Sequence, residues 1–170
     1  KRLILKVYPY ALYAADVLYQ LEADSEEITK ERKKKKFYKE AYKDLKLDFK
    51  YVFLEMYTKE GQMLMKLVHR ETGMTVHEIA SKYKGKSAAG VFNIMGKMWD
   101  QDVKIKWDAQ GEDKIGEHVI RDIESGKISF NNDVVKIDRD QYKKNKKANK
   151  KRRRNNKRKK RKNDKDCDKK

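Results

Sequence analysis

Cysteine and proline occur once each in the 170 residues, and no apolar run reaches the length of a membrane span. One cysteine, Cys167, forms no internal disulfide, so the redox compartment stays open. A membrane-crossing helix needs about 20 consecutive apolar residues, and none is present. No signal peptide is visible. The chain opens on Lys1 within a helical pattern, which points to a fragment or processed form and leaves a lost targeting segment open. The length suits one domain with an appendage.

Acidic residues are scarce at one end only. From Lys143 to Lys170 there are 18 Lys/Arg against 3 Asp, a net charge of +15 out of the whole chain's +18. Residues 1–142 carry 27 Lys/Arg against 24 Asp/Glu, or +3. The basicity therefore belongs to the tail. That tail also lacks aromatic and large apolar side chains, cannot offset its ordering entropy by burial, and is predicted to be disordered.

Apolar periodicity fills the rest with helices. Leu3, Val7, Tyr10, Ala14, Val17 and Leu21 mark one face of a first helix, which Pro9 is expected to kink or restart. Asp24 and Glu27 read as a capping box for a long helix over residues 25–57. Its turn Lys33–Lys36 must be solvated, a more ordinary reading than an anion site. The stretch Gly61–Asp108 holds both tryptophans and five of the six methionines, and the spacing predicts three short helices centred there. Thr58 caps the first and Gly73 ends it; Thr75 and Glu78 box the second, which Gly85 ends; Ser87 starts the third. On that third helix Gly90, Asn93 and Gly96 form a stripe of small residues that lets a helix or ligand approach. Residues 102–111 alternate like a strand but have no partner, so an extended loop is predicted. A last core helix spans 112–125, with Ile115, Val119, Ile120 and Ile123 inward and Gly126 as its cap. The fold expected is all-α: a single compact domain of five or six helices over 1–126, a partly ordered extension over 127–142, and a disordered basic tail over 143–170.

Candidate chemistry is thin. His69, Glu71, His77 and Glu78 lack the helical His spacing of a zinc protease, and no metal site is assigned. With the only cysteine in the tail and no Ser-His-Asp set supported, no catalytic residue is assigned. The segment GKSAAG does not follow the phosphate-loop order, and no cofactor is implied. Lys66 and Arg70, four apart, with Glu71 adjacent, suit a buried ion network better than a pocket. In the tail, Lys151, Arg152, Arg153, Arg154, Lys157, Arg158, Lys159, Lys160, Arg161 and Lys162 form an anion-binding segment. Without aromatics it does not stack bases.

KVYPYA (Lys6–Ala11), GQMLMKLVHRETG (Gly61–Gly73), GVFN (Gly90–Asn93), and Trp107, Asp108, Gly111 and Asp113 occur in that order. Together they resemble an uncharacterised domain-of-unknown-function family of bacterial proteins in Bacteroidota, over about residues 1–126. His69 stands where that family more often has an acidic residue, and Trp107 where tyrosine is usual. The resemblance implies export to the cell envelope, periplasmic or associated with the outer membrane, and no activity. The sequence thus points to a non-enzymatic envelope scaffold or binding module. Its basic tail is expected on anionic lipid or polysaccharide, and its helical domain on a protein partner. The alternatives are a nucleic-acid-binding protein, or an enzyme with its site near Lys66, Arg70 and Glu71.

Overall fold

A computed structural model describes residues 1–84 and 103–167, without the side chains of 42, 45, 46, 48, 49, 84 and 158–167. The predicted third central helix, with Gly85, Ser87 and the Gly90, Asn93, Gly96 stripe, lies outside the described residues. Those described are all-helical, with no strand among them. They fall into two units, Lys1–Val135 and Lys136–Lys170.

The apolar spacing of the first 26 residues demands an inward stripe, and helix α1 (Arg2–Glu26) buries Ile4, Val7, Tyr8, Ala11, Ala14, Leu18 and Leu21. The stripe is centred one residue away from the predicted face, so Leu3, Tyr10 and Val17 sit half-buried on its flank. The helix runs on through Pro9 without restarting. A mid-helix proline costs about 3 kcal/mol. Pro9 is buried between Tyr8 and Ala11, and the apolar surface removed from water there offsets that cost.

The predicted capping box of Asp24 and Glu27 does not form, because α1 continues past Asp24 and helix α2 (Glu31–Glu55) starts later. Ser25 is buried there; its hydroxyl donates to the Glu22 carbonyl at 2.7 Å and lies 2.7 Å from the Tyr38 hydroxyl on α2. Lys33, Lys35 and Lys36 are exposed, as four consecutive lysines require.

Helix α3 (Thr58–Thr72) lies against α1 and buries Leu64, Met65, Leu67 and Val68. Thr58 is its first residue and not its cap. Glu60 closes the first turn by accepting the Tyr57 N–H at 3.0 Å, and its other oxygen takes Lys6 Nζ from α1 at 2.7 Å. Gly73 ends the helix at φ 69°, a left-handed conformation that costs glycine little. Thr75 and Glu78 then form the predicted capping box for helix α4 (Val76–Lys84). The Glu78 N–H donates to Thr75 Oγ1 at 3.2 Å, and the Thr75 N–H donates to Glu78 Oε2 at 2.7 Å. Ile79, Ala80 and Tyr83 of α4 are buried, and Lys82 and Tyr83 both donate to Glu22 of α1. Those two bonds hold the Glu22 carboxyl below its ordinary pKa.

Residues 103–113 are turn and extended loop, with Val103, Ile105 and Trp107 half-buried and Lys104 and Lys106 exposed. Helix α5 (Lys114–Glu124) follows, and Gly126 terminates it at φ 73°. Ile120 is fully buried, but Ile115, predicted inward, is 80% exposed. Glu117 takes the inward position instead, for a reason that lies in the site below. Past α5, the Phe130 ring packs 5.4 Å from Tyr8, and the Val135 carbonyl accepts from the Tyr10 hydroxyl at 3.3 Å. The first unit therefore reaches Val135.

The second unit contains helix α6 (Arg139–Cys167). Asp138 starts it: its Oδ1 accepts the N–H groups of Asp140 at 2.8 Å and Gln141 at 2.7 Å. The large apolar or aromatic side chains of this unit are Ile137 and Tyr142, ahead of a run of polar and basic residues. Lysine and arginine are good helix formers, so the basic segment takes a helical backbone; without an apolar face to pack, such a helix is marginal in water, which agrees with the disorder predicted for the tail. Among the described residues, no helix is long and apolar enough to cross a membrane.

A Cβ at Gly73 meets nothing within 4 Å, so substitution there tests backbone conformation alone. Gly73→Ala is expected to lower unfolding stability by about 1 kcal/mol and Gly73→Asn by less, because asparagine tolerates the left-handed region. Urea unfolding followed by circular dichroism gives the order.

Candidate functional site

Lys66 and Arg70 leave α3 on the same face, one turn apart, toward the loop 105–113 and α5. Arg70 is the centre. Its Nε and Nη2 donate to the two oxygens of Glu117 at 2.9 and 3.0 Å, a bidentate pair. Its Nη1 donates to Glu71 at 2.6 Å and to Glu124 at 3.1 Å, with the Tyr8 hydroxyl at 3.5 Å. Glu117 also accepts the Trp107 indole N–H at 2.9 Å and Arg121 Nε at 3.2 Å. This explains why α5 turns a carboxylate inward and leaves Ile115 outside. An Arg70 side chain only 16% exposed requires a partner, and Glu117 meets it with both oxygens.

Lys66 makes a second node. Its Nζ lies 2.9 Å from both oxygens of Asp113 and 3.4 Å from Glu112. Asp113 Oδ2 accepts the Asp108 N–H at 3.0 Å, and Asp108 Oδ1 accepts the N–H groups of Gln110 at 3.2 Å and Gly111 at 2.9 Å. A Cβ on Gly111 would sit 2.1 Å from Asp108 Oδ2, so any larger residue there must push the Asp108 carboxylate away from the turn. A Cβ on Gly116 would meet the Trp107 ring at 2.7 Å, so glycine there lets the indole approach α5 closely. The backbone N–H of Trp107 donates to His69 Nδ1 at 3.1 Å. The signature Trp107, Asp108, Gly111, Asp113 is thus a clasp: each member makes or permits a bond that holds the loop between α3 and α5.

The charges follow from these contacts. Bonds from Arg70 hold the Glu117 carboxyl at about 2, with help from Trp107 and against the opposing effect of burial. Arg70 is pushed further above its already high value, by its bonds to Glu117 first. Burial pulls the Lys66 ammonium down, but Asp113 and Glu112 outweigh it and leave it raised. Burial, then the charges of Glu71 and Glu124, raises the Tyr8 phenol. Burial, then the Lys106 charge, lowers His69, which suits a ring whose Nδ1 must accept.

The structure therefore joins Arg70 directly to Glu71, and ties Lys66 to Asp113 and Glu112 instead of to that pair. The sequence reading missed Tyr8, Trp107, Asp113, Glu117 and Glu124. One signal was available: Glu117 falls between Lys114 and Ile120 on a helix otherwise read as apolar inside, next to a glycine. The three nitrogens of Arg70 each donate to a carboxylate of the chain, so the cluster works as a cross-brace among α1, α3 and α5. Among the described residues, no group of three or more His, Cys, Asp or Glu side chains is placed to hold a metal ion. His118 Nδ1 lies 2.7 Å from the Lys114 carbonyl one turn back. In the tail, Lys151, Arg152, Arg153, Arg154 and Lys157 are exposed on α6; the side chains of Arg158–Lys162 lie outside those described.

Arg70→Ala is expected to destabilise the fold by about 3 kcal/mol, since it removes the bidentate partner of buried Glu117, leaving it only the exposed Arg121, and takes a cation from half-buried Glu71. Acid sensitivity separates two groups. The depressed pKa of Glu117 contributes stability that is present above pH 4.5 and lost as the pH falls toward about 2. The lowered pKa of His69 contributes stability that is full above pH 6.5 and lost as the pH falls through its folded value. His69→Asn keeps an acceptor for the Trp107 N–H and is expected to flatten only the upper part of the stability–pH curve. Glu117→Gln flattens the lower part. Thermal unfolding across the two pH ranges measures both.

The family model described as Domain of unknown function (DUF4294) matches residues 1–122, which takes in Tyr8, Lys66, Arg70, Glu71, the whole loop clasp and Glu117. No curated protein and no solved structure matches the chain. A match over most of the chain, with all of the cross-brace but Glu124 inside it, places this protein in the DUF4294 family.

Proposed function

We propose that the protein is a non-enzymatic, exported helical module of the cell envelope. Its basic segment holds it on an anionic surface, and its helical body scaffolds or binds a protein partner. The observation that carries this reading is charge segregation. Residues 1–142 have a net charge of +3 and residues 143–170 of +15. Within the body, the half-buried cations are already matched, Arg70 by Glu71, Glu117 and Glu124, and Lys66 by Asp113 and Glu112. Exposed cations are densest on α6, where attraction to a polyanion gains from counterion release. The envelope placement rests on the family resemblance, and the non-enzymatic reading on an Arg70 whose nitrogens donate to the chain's own carboxylates.

Removal of residues 143–170 tests the proposal. Binding of the full chain to vesicles of phosphatidylglycerol in phosphatidylcholine is expected to fall steeply with added salt, and the truncated chain is expected to show none of it. The melting temperature of the body stays unchanged. Equal binding by the truncated chain defeats the reading, and tight retention of RNA at a salt concentration that releases the vesicles favours a nucleic-acid partner.

A further inference from the structure

The helical backbone of α6 gives the tail an order that its composition does not express. At 3.6 residues per turn, positions separated by alternating steps of four and three share one face. Lys143, Lys147, Lys150, Arg154 and Lys157 follow steps of four, three, four and three, and all are exposed. This is the spacing that apolar residues take in an ordinary amphipathic helix, here occupied by cations. Lys144, Lys146 and Lys151 widen the same face to about half the circumference. Over residues 141–157 the opposite face carries Gln141, Asn145, Ala148, Asn149 and Asn156, with Arg152 as the one cation among them. Two of these amides are joined, Gln141 Nε2 donating to Asn145 Oδ1 at 2.9 Å.

We infer that α6 is a one-sided electrostatic helix that lies along an anionic lipid surface, with its cationic face on the headgroups and its amide face toward water. The inference rests on the proposed adhesion of the tail and deepens it by naming the face and the partner. Charge complementarity selects a plane. A flat sheet of headgroup phosphates meets a half-circumference of cations all along the helix, and each Lys or Arg near such a surface adds to the attraction. In a duplex groove, phosphates lie on the two walls and base edges on the floor. There the central cations Lys143, Lys147 and Arg154 would face base edges that mix acceptors with donors and methyl groups, whereas a plane of phosphates offers each of them an anion. The helix has no apolar face to insert, so binding remains at headgroup depth and reverses with salt. Neighbouring cations on one face also repel each other in water, and an anionic surface relieves that repulsion.

The test uses a variant of identical composition, length and net charge in the full chain: Lys147→Asn and Asn149→Lys with Arg154→Asn and Asn156→Arg. It moves two cations from the charged face to the amide face and leaves intrinsic helix propensity unchanged. Partition onto phosphatidylglycerol-containing vesicles is expected to weaken about tenfold at low salt, with far-UV circular dichroism of the free protein unchanged. Native-like binding by this variant, while the chain lacking residues 143–170 does not bind, overturns the one-sided helix and leaves the adhesion reading standing. Vesicle binding by the truncated chain overturns the adhesion reading itself. Tighter binding of duplex DNA than of vesicles by the native chain, at equal salt, overturns the lipid surface as partner.

Discussion

The bidentate pair of Arg70 and Glu117 is the constraint on which the helical body turns. An arginine cannot discard its charge, so wherever α3 brings Arg70 into the interior a carboxylate must follow. Glu117 supplies it, which fixes the rotation of α5 and sets Ile120 in the core and Ile115 in water. Trp107 then follows, because its indole N–H needs an acceptor in the interior and Glu117 provides one at 2.9 Å. A buried ion network adds little net stability over apolar residues of the same shape. It does penalise any other pairing of the helices. An α5 rotated by one position would strand Arg70 and Glu117 together.

The loop before α5 carries the same logic into the backbone. Asp108 folds the turn through Gln110 and Gly111, and Asp113 joins that turn to Lys66 on α3. Gly111 and Gly116 are there for proximity, the first to a carboxylate and the second to an indole. The motif Trp107, Asp108, Gly111, Asp113 that carries part of the family resemblance is, in three dimensions, a fastening between α3 and α5. Function is therefore better sought where the charges are not mutually matched.

That place is α6. The two units of this chain divide electrostatics in opposite ways. The body pairs its half-buried cations with its own carboxylates, while the basic helix keeps its cations exposed along one side. Exposed like charges are unfavourable for the isolated helix and favourable for its encounter with a polyanion.

Helix content, the left-handed ends at Gly73 and Gly126, the Thr75–Glu78 capping box and the extended course of residues 103–108 were all legible in the sequence, because each is local. So was the charge partition, which is a matter of counting. The Asp24–Glu27 cap was misread for a reason that is not local: Ser25 has a partner in Tyr38, on another helix, and α1 continues past the apparent signal. The inward face of α5 was misread for the same kind of reason. Apolar periodicity assigns Ile115 to the core and Glu117 to water, and only the arrival of Arg70 from α3 reverses them. Likewise, Lys66, Arg70 and Glu71 were recognisable as an ion cluster, but Tyr8, Trp107, Asp113 and Glu124 were not, since they come from elements far apart in the chain. The sequence determined which residues carry charge and which stretches are helical. The tertiary structure decided which charges meet, because that depends on the distances between helices and not on the spacing within one.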